Sequence, residues 1–209
     1  MHPADTDPAD VATEYPLVRG RVVEIIESLD ASAGELAVPA CPAWTVSDLI
    51  AHIIGIPEDI LAGRLDGIAT DTWTDAQVQR HRGESLEQLS DTLRGLAAAF
   101  DPMLPLIPSP INGQFLADAL THEHDLREAV SMPGARDAPA VSIVVSWLLL
   151  HLPISDDAIA AFERAGADEY TVMRALTGRM SMRQLREHGL PADAVAAALS
   201  GPILRLPPD

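Results

Sequence analysis

Lysine is absent from the chain: all 14 basic residues are arginine. That removes Schiff-base lysine chemistry from the possible mechanisms. Cysteine is almost absent as well. Cys41 stands alone, so an intrachain disulfide and a four-thiolate zinc site are both excluded. No signal-peptide pattern opens the sequence, because "MHPADTDPADVATEYP" is polar and acidic and has neither a basic n-region nor an apolar h-region. Long hydrophobic runs are missing too. The longest, "APAVSIVVSWLLLHLP" at 138–153, holds His151 and two serines. It is shorter than the ~20 residues a membrane span needs and reads as a buried helix. A cytoplasmic protein is expected.

Positive charge is in short supply: 31 acidic residues face 14 basic ones, for a net charge of -17. A field of that sign repels phosphate backbones and anionic membrane surfaces, so neither nucleic acid nor membrane is an expected partner. What is plentiful is apolar mass. Hydrophobic residues make up 47% of the 209 residues, enough for a sizeable core in one domain with at most an appendage.

Strand signals are nearly absent, and the apolar residues recur at helical spacing. Val18, Val22, Ile25, Ile26 and Leu29 mark a helix from about Asp10 to Ser32. After the loop "AGELAVPACPA", Thr45 and Asp48 form the capping-box pattern that starts a second helix, "WTVSDLIAHIIG". Pro57 should kink or break it, with helix resuming over "EDILAGR". A short helix, a turn at Gly83 and a third long helix over Ser85–Phe100 follow. "DPMLPLIPSP" has four prolines in ten residues and reads as a loop. A fourth helix runs from about Asn112 to Val130, and 138–152 is the fifth. The tail holds shorter helical segments ("DDAIAAFERAGA", "EYTVMRALTGR", "SMRQLREHG") and ends in "GPILRLPPD", a short strand or coil. Residues 1–9 are expected to be flexible, 10–152 to form a helical bundle, and 153–209 a short, mostly helical appendage.

"DALTHEHDLREAV" at 118–130 is the densest ionisable stretch. On a helix of about 100° per residue, Asp118 and His122 share a face, with Asp125 close to it. Glu123 turns about 100° away and His124 about 200°. An i, i+4 pair of this kind can grip a divalent ion, but a catalytic site wants three protein ligands, so a third must come from another helix. His52, mid-helix with Leu49 and Ile56 on its own side, is the natural candidate. The same spacing also suits a hydrogen-bonded surface pair, and a histidine among Leu and Ile also suits the core.

"CPAWTVSDLIAHIIG" (41–55) and "ADALTHEHDLREAV" (117–130) resemble two signature blocks of the mycothiol-dependent maleylpyruvate isomerase family, related to the DinB-like bundles. "VMRALTGRMSMRQL" (172–185) resembles a further segment common near the end of these proteins. The resemblance implies an all-α, up-down-down-up four-helix bundle with extra helices, holding zinc or another divalent metal. Carried over position by position, it places the ligands on His52, Asp118 and His122. It implies a cytoplasmic enzyme, monomer or homodimer, in an actinobacterial host. Its thiol cosubstrate would be mycothiol and its reaction S-transfer to, or isomerisation of, a small electrophile.

Two departures stand out. Asp118 occupies the place where the best-characterised isomerases carry Glu. Residues 153–209 are shorter than the mixed α/β C-terminal domain of the full isomerases, so the resemblance leaves maleylpyruvate isomerisation itself, and any thiol-binding surface on that domain, unassigned. A non-catalytic metal-binding bundle acting as sensor or interaction module is the alternative.

Among the remaining residues, His124 is a substitute ligand or a supporting group. Asp125 or Glu123 could accept the second ring N–H of a ligating histidine. Arg80 and Arg82 are candidates for holding the carboxylate of an acidic substrate or cosubstrate. Cys41 reads as a small buried hydrophobe and Trp44 as packing for the helix start. His81, His151 and His188 show no partner pattern, and His2 lies near the terminus.

Overall fold

In a computed structural model, which describes residues 1–200 and 205–208, the chain folds as an all-α bundle. Asp7 caps the first helix, α1 (Pro8–Ser28), by accepting a hydrogen bond from the amide of Ala9. Val11, Tyr15, Val18, Val22, Ile25 and Ile26 form its buried stripe. The helix ends at Ser28 rather than Ser32, because Asp30 caps a separate 3-10 turn, Ala31–Glu35.

The loop expected before the second helix contains a small antiparallel hairpin, β1 (Ala37–Val38) and β2 (Cys41–Thr45). Pro39 and Pro42 break up the alternation that marks a strand, which is why the sequence pattern does not show it.

The capping box of Thr45 and Asp48 forms as expected and opens α2 (Val46–Ala62). Pro57 does not break this helix. The packing of buried Ile53, Ile54, Ile56 and Pro57 itself carries the chain through the lost hydrogen bond, and Gly63 ends the helix in the left-handed region at φ 70°. α3 (Asp71–Arg80) follows, and Gly83 makes the turn at φ 86°. The third long helix is divided at Leu96 into α4 (Leu86–Gly95) and α5 (Ala97–Phe100), next to the weak helix former Gly95. The proline-rich loop folds in part as a 3-10 turn, Asp101–Leu106, with Pro102 in its first turn.

α6 (Ile111–Ala129) and α7 (Pro139–His151) complete the main body. The tail holds α8 (Asp156–Arg164), α9 (Glu169–Leu176), α10 (Met182–Glu187) and α11 (Ala192–Ala198). The expected strand or coil in "GPILRLPPD" falls partly on 201–204 and 209, outside the described residues; 205–208 have no regular structure. No helix among the described residues is long and apolar enough to cross a membrane.

α1 and α2 each pack against both α4 and α6, so the four helices form a ring with α1 and α2 at opposite corners. The apolar interior is divided in two. One cluster joins Val22–Ile26, Val46–Ile54, Leu86–Leu93 and Leu126. The other joins the start of α1, Ile56, Leu116, Leu120, α7 and the buried residues of the tail helices. Residues 121–125 of α6 lie between Leu120 and Leu126, at the seam of the two clusters. On α2 the change between the clusters comes between Ile54 and Ile56, a turn beyond His52.

Candidate metal centre

Thr121, His122, Glu123, His124 and Asp125 are five consecutive polar residues, all buried. A helix buried on every side usually reads as apolar all round. This one is polar, so each charge needs a partner. Glu123 accepts from Arg21 at 2.8 and 2.7 Å, and from Arg127 at 2.9 Å. Asp125 accepts from Arg174 at 2.6 Å and from Arg179 at 2.7 Å. Thr121 donates back to the carbonyl of Ala117.

His52 from α2 meets Asp118 and His122 from α6. Nε2 of His52 lies 3.7 Å from Asp118 Oδ1, and Nε2 of His122 lies 3.6 Å from the same oxygen. One ligand atom from each of the three residues falls within 4.8 Å of the others. The two imidazoles meet edge to face with centroids 4.9 Å apart, and Trp44 covers them at 5.2 and 6.1 Å. Both histidines are buried, whereas the Asp118 side chain is 31% exposed, so the open side of the group is at the carboxylate.

The far side of each ring fixes its tautomer. Gln77 of α3 donates its amide to Asp59 at 2.8 Å, which turns its oxygen to His52 Nδ1 at 2.8 Å. That oxygen only accepts, so Nδ1 carries a proton and Nε2 is the nitrogen turned towards Asp118. Asp59 is fully buried and held by Arg64 and Arg80, each at 2.7 Å. On the other helix, His122 Nδ1 lies 3.1 Å from Asp125 Oδ2. Burial pushes the Asp125 carboxyl up, but the His122 hydrogen bond and the Arg179 charge outweigh it and hold it well below the usual carboxylate range. It is therefore an acceptor, and Nε2 of His122 is likewise the nitrogen turned towards Asp118. Asp118 is likewise lowered: burial raises it, and the neighbouring His122, His52 and Arg179 more than reverse that.

Two imidazole Nε2 atoms and one carboxylate oxygen, with an acceptor behind each ring, are the donor chemistry of a three-ligand divalent metal site. Ligands about 2.0–2.1 Å from a tetrahedral ion lie roughly 3.3–3.4 Å apart. The two separations to Asp118, 3.6 and 3.7 Å, need only a small closure, and all three ligand atoms lie within 4.8 Å of one another. A second group, Cys41 with His122 and Asp125, is less suited to a cation. Its carboxylate already serves two guanidinium groups. Burial also pushes the Cys41 thiol up to about 11, with Arg179 opposing in part.

The other sequence candidates lie elsewhere. His124 belongs to neither group: it packs edge-on against Tyr170 at 4.8 Å. Arg80 ends α3 and pairs with Asp59 and Glu58, so it reaches the centre only through Asp59 and Gln77. Arg82 is exposed in the turn that follows. Of the two carboxylates considered as support for a ligand histidine, Asp125 takes that place and Glu123 does not.

Sequence pattern missed Gln77, Asp59, Arg174 and Arg179. The first two lie on helices 18 residues apart and meet only through packing. The last two do fall in "RALTGR", within the 172–185 segment that resembles the family but carries no role there.

Residues 16–110 match the model of a protein family described as the mycothiol maleylpyruvate isomerase N-terminal domain. The matched segment contains His52; Asp118 and His122 lie beyond it. No curated protein and no solved structure matches the chain.

Proposed function

From a chain that resembles the mycothiol maleylpyruvate isomerases, through their N-terminal domain at residues 16–110, we propose a divalent-metal-dependent enzyme. It acts on a small electrophile, with a low-molecular-weight thiol such as mycothiol as cosubstrate. The single observation that carries this is the convergence of His52 Nε2, Asp118 Oδ1 and His122 Nε2, with both ring Nδ1 atoms already committed to acceptors.

A metal held by these three residues supplies Lewis acidity that favours the thiolate, or hydroxide, over the neutral nucleophile at neutral pH. The chain provides the rest. Gln77 and Asp125 keep both imidazoles in the ligating tautomer. Asp118 faces the opening through which reactants arrive. Trp44 walls the opposite side and keeps water from the rings. Asp is one methylene shorter than Glu, so α6 must bring its backbone close to α2, which the two helices' direct packing supports. S-transfer and thiol addition–elimination across a double bond are the two reaction types such a site serves.

The test incubates purified protein with mycothiol and a panel of electrophiles, with and without a chelator. Chelator-sensitive thiol consumption, lost in His122→Ala, is the expected outcome. A metal-loaded protein that turns over no member of a broad panel would sink the enzyme assignment.

A further inference from the structure

A separate cleft of about 380 Å³ opens where the end of α6 meets α9 and α10. Arg127, Arg136, Arg174 and Arg179 line it, together with His124 and His188. None of His52, Asp118 and His122 does. Four of the chain's 14 arginines thus converge on one cleft in a molecule of net charge -17. Glu128 is the one carboxylate among its lining residues, and it is already paired with Arg174 at 2.6 Å.

Arg127, Arg174 and Arg179 are paired with Glu123, Asp125 and Glu128, so the donors the cleft still offers are those of Arg136, Arg174 Nε and His124. Arg136 is exposed, and its guanidinium lies 4.8 Å over the ring of Tyr170; the Asp168 carboxylate feels its charge, but Arg136 forms no side-chain ion pair among the described residues. Arg174 spends one terminal nitrogen on Asp125 and the other on Glu128, leaving its Nε proton without an acceptor among the described residues. His124 is 2% exposed, and its Nε2 has no hydrogen-bond partner among the described residues. Such a group costs free energy when buried unpaired, and a ligand that satisfies it recovers that cost. The Tyr170 ring, between Arg136 and His124, gives an otherwise polar cleft one flat apolar wall.

We propose that this cleft binds a small organic oxyanion, a carboxylate or a phosphate ester, independently of the metal ligands. Guanidinium forks match both oxyanions in geometry, and the volume suits a small metabolite. The cleft lies directly behind the metal centre, because Arg174 and Arg179 also hold Asp125, and Asp125 holds His122.

The test is calorimetric titration of the full chain with succinate, and separately with inorganic phosphate, at ionic strength matched with chloride. Saturable binding of one or both is expected, and the tighter arm identifies the oxyanion. Arg136→Ala should weaken binding at least about tenfold, or 1.4 kcal/mol, and Arg136→Glu should abolish it. Arg136 is exposed, so both variants should keep the helical circular-dichroism spectrum of the parent. Binding should persist in His52→Ala, which separates this cleft from the metal assignment. No saturable heat with either anion overturns the proposal. So does unchanged affinity in both Arg136 variants, or binding that disappears with His52 while Arg136 has no effect.

Discussion

His124 and His122 are two residues apart on one helix and are held in opposite ways. His122 has a carboxylate on each side of its ring, whereas His124 has an aromatic neighbour and an Nε2 with no partner among the described residues. Burial pushes the His124 imidazole down to about 4, with Glu123 opposing and Arg174 assisting. As pH falls through the ordinary histidine value near 6.5, the unfolded chain takes up a proton here and the folded chain does not until about 4. Stability from this residue is therefore complete above the unfolded value and is lost across that window. Thermal unfolding from about pH 7 to about pH 5 should show a steeper fall in Tm for the parent than for His124→Leu. Parallel curves would contradict this. At this scale much was legible. The i, i+4 spacing brings Asp118 and His122 together, and helical phase turns His124 away. Gln77 was not legible, because its role depends on a contact between two helices that no local pattern encodes.

At the scale of elements, the meeting of α2 and α3 positions His52. Gly55 lies at that contact, and a Cβ added there would fall inside the van der Waals envelope of the Gln77 side chain. Two effects of Gly55→Ala oppose each other. Alanine gains about 1 kcal/mol in helix propensity. Overpacking against a buried neighbour costs typically ~1–3 kcal/mol. Overpacking should win, and the side chain it displaces is the one that fixes the His52 tautomer. Gly55→Ala should therefore be less stable in urea and should bind metal roughly 10–100-fold more weakly in chelator competition. A stabilised variant with unchanged metal affinity would show that the contact is not needed. The capping boxes and apolar stripes that start and line these helices could be read from local sequence. The hairpin and the unbroken passage through Pro57 could not, since tertiary packing overrides the local signal at both.

At the scale of the molecule, the described part of residues 153–209 and the bundle share one interior. Phe162, Val172, Met173 and Leu176 belong to the same apolar cluster as Phe100, Leu116 and Val144. Arg174 and Arg179 reach from this region to Asp125. A chain ending at residue 152 would lose the burial of several large side chains, each about 1.5–3 kcal/mol. It would also leave a buried carboxylate unpaired, at about 3–5 kcal/mol. The sum exceeds much of the roughly 5–15 kcal/mol by which a domain is stable. Such a chain should show no cooperative unfolding transition by circular dichroism. A sharp transition at the full chain's temperature would show that the bundle stands alone. Length and composition marked the segment as helical but gave no sign of what it packs against, because short amphipathic helices can bury their apolar faces on many surfaces.

The central claim is that His52, Asp118 and His122 together hold a divalent metal. Elemental analysis of the purified, dialysed chain beside His52→Ala and His124→Ala tests it most directly. Stoichiometric metal in the parent and in His124→Ala, with only background in a folded His52→Ala, is the predicted result. Metal retained in full by His52→Ala would contradict it.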